Sequence, residues 1–363
     1  MTRNLTNLVA GVVVCASTLL GCGTRYADPI REEETTTDDP FVRRRGQGLW
    51  LRGSPYAFVG TVSWGIAWDP DGCKVLTSQE EALSRTFGDL ADARAEVLKI
   101  WAFQSFAGAS GTDYRAFDRV VAAARRAGMR LIFVLENHWT DCSSGGVRDD
   151  AWYRTGHAAP YGDYNLSFSD YVRGLVAHFR DEPTVLAWEI MHEAHGEDFA
   201  SLESFTGGMA SLIRDNDPNH LIALGLDNGG SPATDRTGSP SNYERLHEHP
   251  AVDLLDLHDF DSTDASPSED VPVIWDIAAS LNKAAFAGAT AIETADASPP
   301  ALALRADVVE QKLVEALGQG FVGFLVYDYV PDWEPPSWSF DGRPEEPLAG
   351  PNGVIARHAS RTR

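Results

Sequence analysis

From residue 50 onward the chain alternates two hydrophobic patterns. Apolar runs of strand length occur at 56–62, 96–101, 130–135, 184–190, 220–225, 253–258, 288–292 and 321–327. They are mostly unalternated, as expected of strands buried on both faces. Between them lie segments of helical period. In 113–127, Tyr114, Phe117, Val120, Val121 and Ala124 share one face, with Thr112 or Asp113 as N-cap and Gly128 just past the end. Phe168, Tyr171, Val172, Leu175 and Phe179 do the same in 167–179. Leu202, Phe205, Met209 and Leu212 do so in 199–214, and Val309, Leu313 and Leu317 in 302–317. Between the fifth and sixth runs, 231–249 is mostly turn-forming. Eight β-then-α units predict an α/β fold, a single (β/α)8 TIM barrel. A doubly wound sheet would carry a glycine-rich phosphate loop after an early strand, and no GxGxxG or Walker pattern is present.

The N-terminal pattern is different. Residues 8–20 form an apolar run too short to span a bilayer, preceded by Arg3. It ends in Leu19-Leu20-Gly21-Cys22, which resembles a bacterial lipobox. That implies a signal peptide over 1–22, cleaved before Cys22, with a lipid on the Cys22 thiol. An ordinary secretory signal is the alternative. Both place the mature chain outside the cytoplasm, secreted or lipid-anchored to the bacterial cell envelope, with the lipid as its sole membrane contact. Residues 23–46 are polar and charged and predict a disordered tether, with Arg43-Arg44-Arg45 as a solvated face. Residues 47–363 then form the barrel.

Composition narrows the partners. The 363 residues are 43% hydrophobic, ample for a large core, and although the length suggests two domains, barrels of this size fold as one. A net charge of −23 repels phosphate backbones, which excludes nucleic acid but not a neutral substrate such as a sugar. Of four cysteines, Cys15 leaves with the signal and Cys22 takes the lipid. Cys73 and Cys142 remain as a disulfide candidate in an oxidising compartment.

In a (β/α)8 barrel the chemistry sits at the C-terminal strand ends. Those ends carry Ser63-Trp64, Lys99 and Trp101, Glu136-Asn137-His138-Trp139, His192-Glu193, Asp227-Asn228, His258-Asp259-Phe260, Glu293, and Tyr327-Asp328-Tyr329. A glutamate at a strand end is often only the start of a loop, a lone histidine structural, and a tryptophan core. Their clustering at one end of nearly every strand is what carries weight. Two acids such as Glu193 and Glu293 suit glycosidic bond cleavage, one protonating the leaving oxygen and the other attacking the anomeric carbon. About 5–5.5 Å between them gives retention through a covalent intermediate. Trp64, Trp101, Trp139 and Trp333 offer faces for sugar rings. No Gly-x-Ser-x-Gly elbow is present for a serine nucleophile. His192 and His195 are spaced i, i+3 at a strand-to-loop junction and do not form HExxH, so no metal is expected.

These residues carry a resemblance. "TVLAWEIMHEA", "LKIWAFQ", "ENHWTDCSSGG", "DPNHLIALG", "LHDF", "AIET" and "GQGFVGFLVYDY" are similar, in order, to motifs of glycoside hydrolase family five. The endo-β-1,4-mannanase branch is the most similar. The matches run from about Phe58 to Tyr329. The resemblance implies Glu193 as acid/base and Glu293 as nucleophile. It implies that His192 holds the sugar 2-hydroxyl or orients Glu193, and that Lys99 and His258 support Glu293. Trp101, Asn137, Trp139 and Tyr327 join His192, Lys99 and His258 as substrate-binding candidates. Five positions depart from the family's pattern: Lys99 replaces Arg, His192 replaces Asn, Ala194 replaces Pro, Phe260 replaces Tyr and Tyr327 replaces Trp. Lysine is a point donor where arginine is a planar fork, and Phe260 lacks a hydroxyl that would stabilise ionised Glu293. The implied activity is endo-hydrolysis of β-1,4-polysaccharide, with mannan favoured over cellulose, by a monomer without cofactor. A hydrolase acting on another β-glycan, or a sugar-binding barrel with weakened turnover, are the alternatives.

Overall fold

Burial on both faces decides the strands. Phe58–Val62, Val97–Trp101, Val185–Glu189, Leu221–Ala223 and Gly323–Val326 are buried at every residue. With Arg130–Val134, Leu254–Ser262 and Ala284–Glu293 they make eight parallel strands, here numbered one to eight in chain order. They close in sequence order into a barrel, Gly323–Val326 pairing with Phe58–Thr61. The computed structural model describes residues 38–63, 68, 69, 74, 75, 80–108, 110–262 and 268–359. All eight expected strands are present.

Strands six and seven outrun their apolar cores. The sixth reaches Ser262 because the seventh supplies partners as far as Glu293. The seventh starts at Ala284, where an alanine-rich segment of low β propensity is held by neighbours on both sides. Their register slips between Leu257 and His258, so that His258 pairs with Ala289. Such bulges re-aim side chains near active sites.

The expected helices are Arg115–Ala127, Phe168–Phe179, Phe199–Asn216 and Pro299–Gln319. Gly128 ends the first in the left-handed conformation. Its N-cap is Tyr114 rather than Thr112 or Asp113, although the Asp113 carboxylate accepts from the Arg115 N–H at 3.3 Å. Between strands five and six the helix shrinks to Asn242–His247, capped by Ser241. Helices Glu80–Asp92, Asp270–Leu281 and Val354–Ala359 complete the ring. No helix among the described residues is long and apolar enough to cross a membrane.

The expected tether is corrected at its C-terminal end. Val42–Arg45, Gly48–Leu51 and Ser54–Tyr56 form an antiparallel meander. Arg43 pairs with Asp39 and donates to the Asn219 carbonyl; Arg44 pairs with Asp253 and donates to the Asn282 carbonyl. Those partners directly precede strands five, six and seven, so the arginines fix the meander across the barrel's N-terminal face rather than standing in solvent. Residues 1–37, which include Cys22, lie outside the described residues.

Candidate active site

The backbone after strand four is held from both sides. The His192 N–H donates to the Glu136 carbonyl at 2.7 Å, and the Ala194 N–H to the Gly225 carbonyl at 2.8 Å. Between these anchors Glu193 adopts φ 54°, the left-handed region that non-glycine residues enter at a cost of the order of 1 kcal/mol or more. The flanking hydrogen bonds over-determine the strained residue. Gly225, at φ +71°, lets strand five pass this segment, since a Cβ there would lie 1.8 Å from the Met191 carbonyl oxygen.

Among the described residues, three side chains set polar groups against the Glu193 carboxylate. His258 Nδ1 donates to Oε1 at 3.0 Å, Trp139 Nε1 donates to Oε2 at 2.8 Å, and His192 Nε2 lies 3.7 Å from Oε1. Beneath them runs a buried row of charges. His258 Nε2 lies 3.4 Å from Asp256 Oδ2 and 3.3 Å from Lys99 Nζ, and Lys99 Nζ lies 2.6 Å from Glu189 Oε2.

Burial and pairing set the protonation of this row. Burial pushes the Glu193 carboxyl up, but the hydrogen bond from His258, the nearby imidazoles and the bond from Trp139 together bring it far below the usual carboxylate range. Burial pushes His258 down, yet its bonds to Asp256 and Glu193 raise it to about 9. Glu189 is raised to about 7 because burial exceeds the pull of Lys99. His192 is lowered to about 3 by burial and is neutral. Its ring packs between Trp101 at 4.7 Å and His258 at 5.0 Å, and its Nδ1 is buried with no hydrogen-bond partner among the described residues.

One wall of the mouth is the loop after strand three. Asn137 Oδ1 accepts from the Trp139 N–H at 3.1 Å and its amide donates to the Asp141 carbonyl, setting the turn that presents Trp139, 42% exposed. Glu136 anchors this loop through Ser143, Arg148 and Tyr161. His195 pairs with Asp227 at 2.7 Å and packs on His138, so it turns away from any metal pair with His192.

The opposite wall belongs to strands six to eight. Glu293 is exposed at the end of strand seven, in register with Ser262, and makes no hydrogen bond or ion pair among the described residues. Tyr327 packs on Phe260 at 5.3 Å. Burial, with Asp328, Glu193 and Asp141 adding to it, holds the Tyr327 hydroxyl well above its ordinary pKa.

Several expectations are corrected. Lys99 is fully buried, so it has no surface to offer a sugar, and it serves Glu189 instead of Glu293. His258 serves Glu193 and Asp256 instead of Glu293. Trp333 is buried beneath Arg305 and Arg343. Trp101 and Asn137 are also buried and spend their surfaces on His192 and on the Trp139 turn. Cys142 is disulfide-bonded, while Cys73 and Trp64 lie outside the described residues. Glu189 and Asp256 were missed by reading strand ends alone. Their signal was a charged residue inside an apolar run, with Asp256 two positions before His258 and so on the same strand face. Among the described residues, Glu189, His192 and His258 place ligand atoms within 4.8 Å of one another, a set that could hold a metal ion; the Lys99 ammonium already lies against two of them.

The family described as Cellulase (glycosyl hydrolase family 5) matches residues 87–317. Similar curated proteins include mannan endo-1,4-beta-mannosidase 7 of Oryza sativa, 27% identical over 60% of this chain and 65% of that protein. Mannan endo-1,4-beta-mannosidase F of Aspergillus fumigatus is 26% identical over 58% of this chain and 52% of that protein. The chain spans about half to two thirds of the length of these relatives. Among solved structures, an endo-1,4-beta-mannanase of Rhizomucor miehei superposes with a TM-score of 0.65 at 18% identity, covering 89% of this chain and 99% of that one. A hyperthermostable endo-1,4-beta-D-mannanase of Thermotoga petrophila gives 0.64 at 17% identity, covering 84% and 100%. These likenesses show the barrel fold.

Proposed function

We propose that this chain, which belongs to the cellulase family, glycosyl hydrolase family 5, is a retaining, endo-acting hydrolase of β-1,4-linked polysaccharide, with mannan as its substrate. The observation that carries the reading is the Glu193 carboxylate, held at a strained backbone position in the barrel mouth between His258 and Trp139. Glu293 stands at the end of strand seven as the second carboxylate.

The pairing of His258 with Glu193 supports a place for the catalytic proton. In the free site the His258–Glu193 pair carries it on the imidazole, 3.0 Å from Glu193 Oε1. A sugar that displaces water from Glu193 raises the cost of its charge, and the proton shifts along this hydrogen bond to the carboxyl. Glu193 then protonates the leaving oxygen while Glu293 attacks the anomeric carbon. Water, deprotonated by Glu193, releases the sugar from Glu293. Neutral His192, fixed by Trp101, holds its Nε2 3.7 Å from Glu193 Oε1 and orients that carboxylate. Trp139 and Tyr327 line the cleft.

Reducing ends released from mannan and from cellulose by the parent chain, Glu193→Gln and Glu293→Gln test this. Loss of a catalytic proton donor lowers turnover by about 10²–10⁴-fold. Equal rates in the parent and both variants would overturn it. A second reading, a barrel that binds β-glycan without turning it over, is favoured by Glu293 making no hydrogen bond or ion pair among the described residues. The same assay separates the two, because the parent would then bind but release nothing.

The reading extends to the chain's placement: a monomer outside the cytoplasm, anchored by lipid on Cys22, with Cys73 as the partner of Cys142. Labelling with a radioactive fatty acid, lost in Cys22→Ser, and a thiol count on the unfolded chain test these points.

A further inference from the structure

Trp338 lies outside every strand-end motif, yet the fold fixes it at the mouth. On one side of it, Ser337 exchanges two backbone hydrogen bonds with Thr294, the residue after Glu293, at 3.0 and 3.1 Å. On the other side, the Ser339 hydroxyl donates to Asp328 Oδ1 at 2.6 Å, and its carbonyl accepts from Arg305 at 2.6 Å. Asp328 directly follows Tyr327. One residue further, the Phe340 N–H donates to the Asp328 carbonyl at 3.0 Å. Trp338 is therefore clamped between the ends of strands seven and eight.

Its ring meets Phe260 edge-on, with centroids 5.8 Å apart and planes at 76°. Phe260 meets Tyr327 in the same way, at 5.3 Å and 69°. Phe260 stays 38% exposed, and the Trp338 ring is half-buried. The two perpendicular contacts set three aromatic rings side by side at the mouth, and hydrogen bonds on both sides of Trp338 hold the segment that carries it. A rigid aromatic surface with a free face suits the C–H face of a pyranose ring, because little side-chain entropy is lost on binding.

We propose that Trp338 and Phe260 form a sugar-stacking subsite for the β-linked unit next to the sugar attacked by Glu293, on the side away from the leaving group. The side follows from the chemistry and rests on the function proposed above. Glu193 and Trp139 face the departing oxygen from strands three and four. Trp338, tied to the residue after Glu293, faces the part of the chain that stays bound.

The test is calorimetric binding of β-1,4-mannohexaose and cellohexaose to the chain carrying Glu193→Gln, with and without Trp338→Ala or Trp338→Phe. Trp338→Ala weakens binding of the preferred hexaose at least tenfold, and Trp338→Phe recovers most of it. In the chain with Glu193 intact, Trp338→Ala raises KM with kcat nearly unchanged and moves the cleavage points along the hexaose. Equal affinity in the parent and Trp338→Ala would overturn the subsite, as would a kcat loss without a KM change. A parent that binds a hexaose but never cleaves it would defeat the proposed hydrolysis while leaving the subsite to the binding comparison. A parent that binds neither hexaose would overturn both.

Discussion

Replacing His258 by Gln removes the imidazole that joins Glu193 to Asp256. The two bonds hold its folded-state pKa near 9, against 6.5 for an unperturbed histidine. A difference of that size corresponds to about 3 kcal/mol at 1.36 kcal/mol per pH unit. The sign follows from proton binding. Between pH 6.5 and 9 the folded chain keeps a proton that the unfolded chain has released, so stability falls as pH rises. The contribution is fully present below 6.5 and lost by about pH 10. Urea unfolding of the parent and His258→Gln at pH 6 and pH 10 isolates it, because titrations common to both chains cancel in the difference. The parent's advantage should shrink by about 3 kcal/mol between the two conditions. Adding Glu193→Gln to both chains should reduce that change, since one of the two anionic partners is then gone. A stability difference equal at pH 6 and pH 10 would refute the coupling of His258 to its carboxylates.

Three further outcomes follow from the same geometry. Lys99→Met strands the Glu189 carboxylate inside the barrel, a loss of about 3–5 kcal/mol for a broken buried pair. Glu189, with its pKa raised to about 7, is protonated at pH 5, so thermal unfolding should show the larger loss at pH 8. Gly225→Ala forces a Cβ against the Met191 carbonyl at a positive φ and should cost several kcal/mol; a midpoint within 1 °C of the parent would contradict the close approach. Trp139→Phe removes one donor to ionised Glu193, and a hydrogen bond worth about 1 kcal/mol predicts that the Glu193 titration midpoint, followed by carbon-13 NMR, moves up by less than one pH unit.

The hydrophobic pattern was enough to place all eight strands, because a strand buried on both faces leaves a near-continuous apolar run wherever it sits. Four helices and the left-handed glycine after Ala127 were legible for similar local reasons. Strand lengths were not. Ala284, Ala285 and Ala287, and Asp259, Asp261 and Ser262, become strand only because each finds a partner across the sheet. Nor was the end of the tether, since Arg43 and Arg44 look solvated until Asp253 and the carbonyls of Asn219 and Asn282 are placed beside them.

Sequence alone determined that Glu193 follows strand four, that Glu293 lies at the end of strand seven and that aromatic and polar side chains crowd the same rim, because strand order and direction fix which end each residue occupies. Only the tertiary structure decided who pairs with whom. Lys99 goes to Glu189, His258 bridges Glu193 and Asp256, Trp333 is buried, and Trp338 is carried by a clamped loop to the side of Phe260. Those choices depend on which charges lose their water and on distances between segments up to 159 residues apart, as for Lys99 and His258. A linear pattern carries neither.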